Sequence, residues 1–156
     1  MKQAQKNVED GYGNVETLIN EESVLQRTTT IKHVVLHFFH ENFQKCKVMD
    51  DKLKVMAEKH LSTKFIRVNV ENAPFLVTRL KIKVLPAVLI YINGVESNRL
   101  VGFDKLNFNE SGDFQIESLE KFLLDNGAIQ RKATNYKRIL KSKQYQDDDD
   151  ESDLDL

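Results

Sequence analysis

The sequence predicts an α/β domain whose central mixed sheet is flanked by helices, and three stretches carry that prediction. Val34 to Phe39 is apolar on both faces apart from His37, as expected of a strand covered on both sides. Directly after it, Cys46, Met49, Leu53, Met56, Ala57 and His60 recur at three- and four-residue spacing, while Lys45, Lys52, Lys54, Glu58 and Lys59 take other faces; this is an amphipathic helix of about five turns, spanning Phe43 to Leu61. A crossover of helix length makes the next apolar run, Phe65, Ile66, Val68 and Val70, a strand parallel to the first. Farther on, Asn93-Gly94 tolerates positive φ at both positions and turns the chain back for an antiparallel pair.

The remaining elements fall around these. Val15 to Ile19 is a short strand. Asn20 is a good N-cap for a helix from Glu21 to about Thr28, because its side-chain oxygen accepts a free amide and the two glutamates favour the positive helix end. Ala73 to Leu80 reads as a short helix with Pro74 in its first turn, where the missing amide costs nothing. Ala87 to Ile92 begins at its proline, and Arg99 to Val101 returns from the hairpin before Gly102. Ile116, Leu119, Phe122 and Leu123 form the stripe of a last helix, ended by Asn126-Gly127.

A chain of 156 residues suits one domain that buries roughly two-thirds of its unfolded surface. Residues 1–13 are a polar segment with a Gly11-Tyr12-Gly13 hinge, 14–128 the folded domain, and 129–156 a basic then acidic tail with too little to bury, for which disorder is the expectation. From Ala128 to Gln146 six residues are basic and none acidic, whereas from Asp147 to Leu156 seven of ten are acidic and none basic. No apolar run approaches the roughly 20 residues of a membrane helix, and the N-terminus has no signal-peptide pattern. No membrane association and a cytoplasmic location are therefore expected. One cysteine cannot form an internal disulfide, and the Asn109-Glu110-Ser111 sequon is expected to be silent.

With the elements placed, Val15 to Gly127 resembles the thioredoxin fold. Leu36 to Val48 stands where thioredoxins carry Asp-Phe-Trp-Ala-Glu-Trp-Cys-Gly-Pro-Cys-Lys. Leu85-Pro86 stands at their cis-proline, Asn93-Gly94 at their hairpin, and Gly102 at the glycine ending their last strand. Lys64 to Leu76 (Lys-Phe-Ile-Arg-Val-Asn-Val-Glu-Asn-Ala-Pro-Phe-Leu), Arg79 to Pro86 (Arg-Leu-Lys-Ile-Lys-Val-Leu-Pro) and Val101-Gly102-Phe103 resemble the phosducin-like family more closely, especially the branch that includes thioredoxin domain-containing protein nine. Gly11-Tyr12-Gly13 is similar to the Gly-His-Gly-Glu-Tyr segment that precedes the domain there. The resemblance implies binding rather than catalysis: partners would be the cytosolic chaperonin with actin or tubulin clients, or alternatively Gβγ. Members also carry a long N-terminal helical extension, which this chain, starting just ahead of the hinge, is expected to lack.

Against the thioredoxin pattern, Phe43 occupies the attacking-cysteine position, Cys46 the resolving one and His37 that of the buried aspartate. A dithiol cycle needs a second thiol, so Phe43, Cys46 and Pro86 read as a vestigial redox site without catalytic residues. Lys45 and Lys47 at a helix start favour a thiolate, leaving a monothiol redox protein as the enzyme alternative; Cys46 also opens the apolar stripe, which favours core packing. His33, His37, His40 and His60 lack ligand spacing, so no metal or other cofactor is expected. His37 and His40, three apart, are read as pointing to opposite faces of one strand. Lys45 and Lys52, with Gly11, Tyr12 and Gly13, are candidate partner contacts. Arg131 to Lys143 is too diffuse, and too close to the acidic block, to make nucleic acid the expected partner. Ser152, set among acidic residues, resembles a casein kinase two site, where phosphate adds nearly two negative charges.

Overall fold

The computed structural model describes residues 11–130. Its elements are β1 (Val15–Leu18), α1 (Glu21–Thr30), β2 (His33–Phe39), α2 (Gln44–Lys59), β3 (Lys64–Asn69), a 3-10 turn (Val70–Asn72), α3 (Pro74–Arg79), β4 (Ala87–Ile92), β5 (Val95–Val101) and α4 (Ile116–Asp125). The five-stranded sheet has the order β1-β3-β2-β4-β5. β3 runs parallel to both β1 and β2, whereas β4 is antiparallel to β2 and β5.

β2 lies at the centre, and alternation along it feeds two cores. Val34, Leu36 and Phe38 pack with Val24 of α1, Leu76 of α3 and Leu89. Val35 packs on the other face with Met49, Leu53 and Met56 of α2, Leu119 and Leu123 of α4, and Phe65. The apolar run that identified the strand is therefore required by both layers.

Element ends differ from the expected ones for local reasons. α1 continues to Thr30 because the Thr29 and Thr30 hydroxyls donate back to the Leu25 and Gln26 carbonyls, and Asn20 caps its start by accepting the Ser23 amide. Phe43 is extended and stands just ahead of α2, whose last bond runs from the His60 amide to the Met56 carbonyl. Val70 leaves the strand for the 3-10 turn because the Asn69 side chain takes the Glu71 amide. β5 starts four residues before Arg99, directly after Asn93-Gly94, with φ of 53° and 82° at the turn; its polar residues Glu96, Ser97 and Asn98 suit a sheet edge. The basic and acidic stretches from Arg131 onward, Ser152 and residues 1–10 lie outside the described residues.

Leu53, 1% exposed, sits in the middle of the α2 core. Leu53→Ala is expected to cost about 2–5 kcal/mol by lost transfer energy and residual cavity, read as a lower urea midpoint with an unchanged m-value; a cost below about 1 kcal/mol would contradict this packing.

Candidate functional site at the Phe43 end of the sheet

The parallel strands end, and α2 begins, around a loop that presents Phe43. His40 Nδ1 accepts the Asn42 amide at 3.1 Å, which leaves Nε2–H to donate to Glu71 at 2.9 Å. Glu41 accepts from the Asn69 side chain at 2.8 Å. The loop is thus tied to the chain following β3, and the Phe43 ring rests edge-on against His40 with centroids 6.0 Å apart. Phe43 remains 48% exposed. His40 lies beyond β2, in this loop, so the expected opposite-face relation within one strand applies to neither histidine.

Cys46, one helical turn on, is 2% exposed. Burial pushes its thiol above the usual range, and a main-chain hydrogen bond from His40 pulls only weakly the other way. Desolvation, with the Asp50 charge adding to it, therefore prevails, and the side chain behaves as a small core residue.

Beneath Cys46 lies a feature the sequence reading missed. His37 and Arg67 are direct cross-strand partners on β2 and β3, two potentially cationic groups on one face. Asp50 of α2 reaches between them: its Oδ1 lies 3.1 Å from His37 Nδ1, and its Oδ2 accepts from Arg67 Nη1. The Arg67 guanidinium stacks 4.0 Å from the Phe39 ring centroid. Complete burial holds His37 below its ordinary pKa despite Asp50. The ring is then neutral, with Nδ1–H donating to the carboxylate. Asp50 follows Cys46 by four residues, within the apolar stripe; an acid on a buried helix face was the available signal.

Pro86 follows a cis Leu85–Pro86 bond and is buried, at the same end of the sheet. Nearby, Val84 is 50% exposed, and a Cβ on Gly102 would touch its Cγ1 at 3.7 Å. The chain after β5 folds back over α2. Lys45 Nζ lies 5.4 Å and 5.2 Å from the Phe103 and Phe108 rings, while Lys52 pairs with Asp113 at 2.8 Å and covers Phe114. Asn109 Oδ1 accepts the Ser111 and Asp113 amides, so the sequon asparagine shapes this loop. Lys45 and Lys52 are engaged within the domain, and the apolar exposure they border is Phe108, at 49%. A hollow lined by Phe39, His40, Phe43, Cys46, Asp50 and Arg67 marks the end where the thiol chemistry of a thioredoxin would be.

The hinge lies elsewhere. Lys64, at the start of β3, donates to the Gly11 carbonyl at 3.1 Å and lies over the Tyr12 ring at 5.3 Å, so Gly11-Tyr12-Gly13 stands at the opposite end of the sheet. Among the described residues there is no cluster of three or more metal-ligating side chains, and no helix is long and apolar enough to cross a membrane.

Residues 16–111 match the family profile described as thioredoxin. Phosducin-like protein 1 of Saccharomyces cerevisiae is 42% identical over 164 residues, covering 100% of this chain and 70% of that protein. The chain belongs to the phosducin-like family. Phosducin-like protein 3 of Dictyostelium discoideum is 35% identical over 136 residues, 84% of this chain and 73% of that one. Human thioredoxin domain-containing protein 9 is 36% identical over 119 residues, 76% of this chain and 52% of that one. Among solved structures, spinach chloroplast thioredoxin F superposes with a TM-score of 0.63 at 21% identity, over 79% of this chain and 93% of that one, which shows the shared fold. This phosducin-like chain thus keeps the thioredoxin scaffold, with a phenyl ring at the helix start and a buried thiol behind it.

Two outcomes follow. Iodoacetamide is expected to label Cys46 in folded protein far more slowly than a free cysteine at neutral pH, and at the free rate in urea; rapid labelling of the folded form would show an accessible thiolate. His33, His37 and His60 are all held below their ordinary pKa, chiefly by burial, so each takes its proton at higher pH in the unfolded chain than in the folded one. Stability then rises with pH through this window and falls as pH drops below about 6.5. Urea titrations between pH 5 and 7.5 should show that slope, flattened in His37→Gln; an unaltered slope would refute His37 as a contributor.

Proposed function

We propose that this phosducin-like protein is a redox-inactive cytoplasmic adaptor that binds the cytosolic chaperonin and modulates the folding of actin or tubulin. The observation that supports it best is Phe43: the position that would carry an attacking thiol presents an exposed apolar ring, and the remaining thiol is buried. With one cysteine in the sequence, a single chain has no second thiol for a dithiol cycle, and an exposed aromatic suits docking on an apolar partner surface. The actin, tubulin and chaperonin assignment follows the family resemblance.

The test is affinity capture from cytosol with purified protein, beside Phe43→Asp. Chaperonin together with actin or tubulin should be enriched by the parent and lost from the variant, whose thermal unfolding should be unchanged because Phe43 lies outside the core. Enrichment of Gβγ instead would transfer the reading to G-protein regulation. Catalysed reduction of insulin disulfides would overturn the adaptor reading altogether.

A further inference from the structure

The short helix α3 stops at a turn where a lysine stands in a conformation that suits glycine. The Ile82 amide donates to the Val77 carbonyl at 2.9 Å and the Lys81 amide to the Thr78 carbonyl at 3.2 Å, the paired bonds of a helix stop whose central residue turns left-handed. That residue is Lys81, with a φ of 57°. Glycine takes this conformation at no steric cost, whereas a side chain with a Cβ is strained by it. The Lys81 side chain is exposed and makes no hydrogen bond or ion pair among the described residues, so no contact within the described domain accounts for a lysine there.

Its neighbours share its charge. Arg79 and Lys83 flank it at two-residue spacing, both exposed, and neither pairs with a carboxylate among the described residues. Arg79 lies instead over the Phe75 ring, 5.8 Å from the centroid. From Ala73 to Val95 the chain has three basic residues and no acidic one. The acids that reach this segment from other elements are engaged. Glu21 accepts the Leu76 amide at 2.8 Å, and Glu96 accepts from Arg99 Nε at 2.6 Å while Arg99 Nη1 donates to the Leu80 carbonyl. On α2, by contrast, exposed Lys47 and Lys54 alternate with Asp51 and Glu58. Beside the three cations stand two exposed apolar side chains, Phe75 at 57% and Val84 at 50%.

From this placement we infer that the turn after α3 docks an acidic segment of a partner polypeptide, whose carboxylates meet Arg79, Lys81 and Lys83 and whose apolar side chains pack on Phe75 and Val84. Charge complementarity sets the sign of the partner, and the apolar pair makes it a polypeptide. Three cations are fewer than the roughly four to eight of a lipid-binding cluster, and they neutralise too few phosphates to hold a nucleic acid at physiological salt. The surface is built without Phe43, so its test stands apart from that of the chaperonin reading.

The experiment titrates the full chain with the synthetic peptide Glu-Glu-Leu-Glu-Glu-Phe-Glu-Glu and follows amide NMR shifts. Shifts are expected at residues 75–84, with Phe43 to Lys47 unmoved, and 1 M salt should abolish them. Lys83→Gln is expected to weaken binding about two- to fivefold, the range for one exposed ion pair. Lys81→Gly separates binding from folding: the variant should be at least as stable in urea, because glycine suits the turn, and yet bind about two- to fivefold more weakly. A Lys81→Gly chain that binds as the parent does, an absence of shifts at residues 75–84, or shifts of equal size from phosphatidylserine vesicles or single-stranded RNA would overturn the inference. So would a difference at residues 75–84, before peptide is added, between the parent and a full-length variant with Asn in place of Asp147, Asp148, Asp149 and Asp150, since the chain's own acidic segment would then be the occupant.

Discussion

The Asp50 carboxylate constrains the site more than any other group. Strand register sets His37 directly opposite Arg67 on the face of the sheet beneath α2, where the half-buried guanidinium and the buried, neutral imidazole both find an acceptor in Asp50. Asp50 reaches them from the helix. Residues four apart share a helix face, so turning Asp50 toward the sheet turns Cys46 toward it too. Phe43, extended before the first turn, is left facing outward. The buried thiol and the exposed ring thus accord with both the ionic anchor of Asp50 and the apolar stripe of Met49, Leu53 and Met56.

The anchor sets geometry more than it adds stability. Removing two charges from water costs several kcal/mol each, and their attraction recovers this only in good geometry, so such a network can be nearly neutral against an apolar core. With the apolar stripe of Met49, Leu53 and Met56, it fixes the rotation of α2 about its own axis. The outer side of the helix is fixed by different means: Lys45 lies on Phe103 and Phe108, and Lys52 pairs with Asp113 and covers Phe114. With one face held ionically and the other covered by a loop, α2 has little freedom to roll, and Phe43 is presented in a defined direction.

These contacts explain why the sequence was legible for the scaffold and opaque for the site. Alternating burial on β2, β3 and β4, the 3.6-residue stripe of α2 and the Asn93-Gly94 turn are local patterns, readable one segment at a time. Asp50 sits on that stripe but reads as a polar interruption, since its partners are 13 and 17 residues away and meet it only after the sheet has formed. Lys45 and Lys52 have the spacing of a solvated face, and nothing nearby in the sequence announces that Phe103, Phe108 and Phe114 will cover it. The glycine hinge was recognisable as a break, but its anchor, Lys64, lies 53 residues away.

The two ends of the domain differ in how they are built, and that bears on how they work together. The Phe43 end exposes apolar groups on loops tied by hydrogen bonds among His40, Glu41, Asn69 and Glu71. The opposite, clasped end ties Gly11 and Ala128 to Lys64 and Thr63 and carries charge. Between them run β2 and β3, close-packed on both faces, and such interiors move between discrete packings instead of deforming smoothly. Sites this far apart with no shared partner contribute additively, so occupancy of one end leaves affinity at the other unchanged unless the Asp50 network rearranges. That network is in contact with both β2 and β3, the two strands that run from one end to the other.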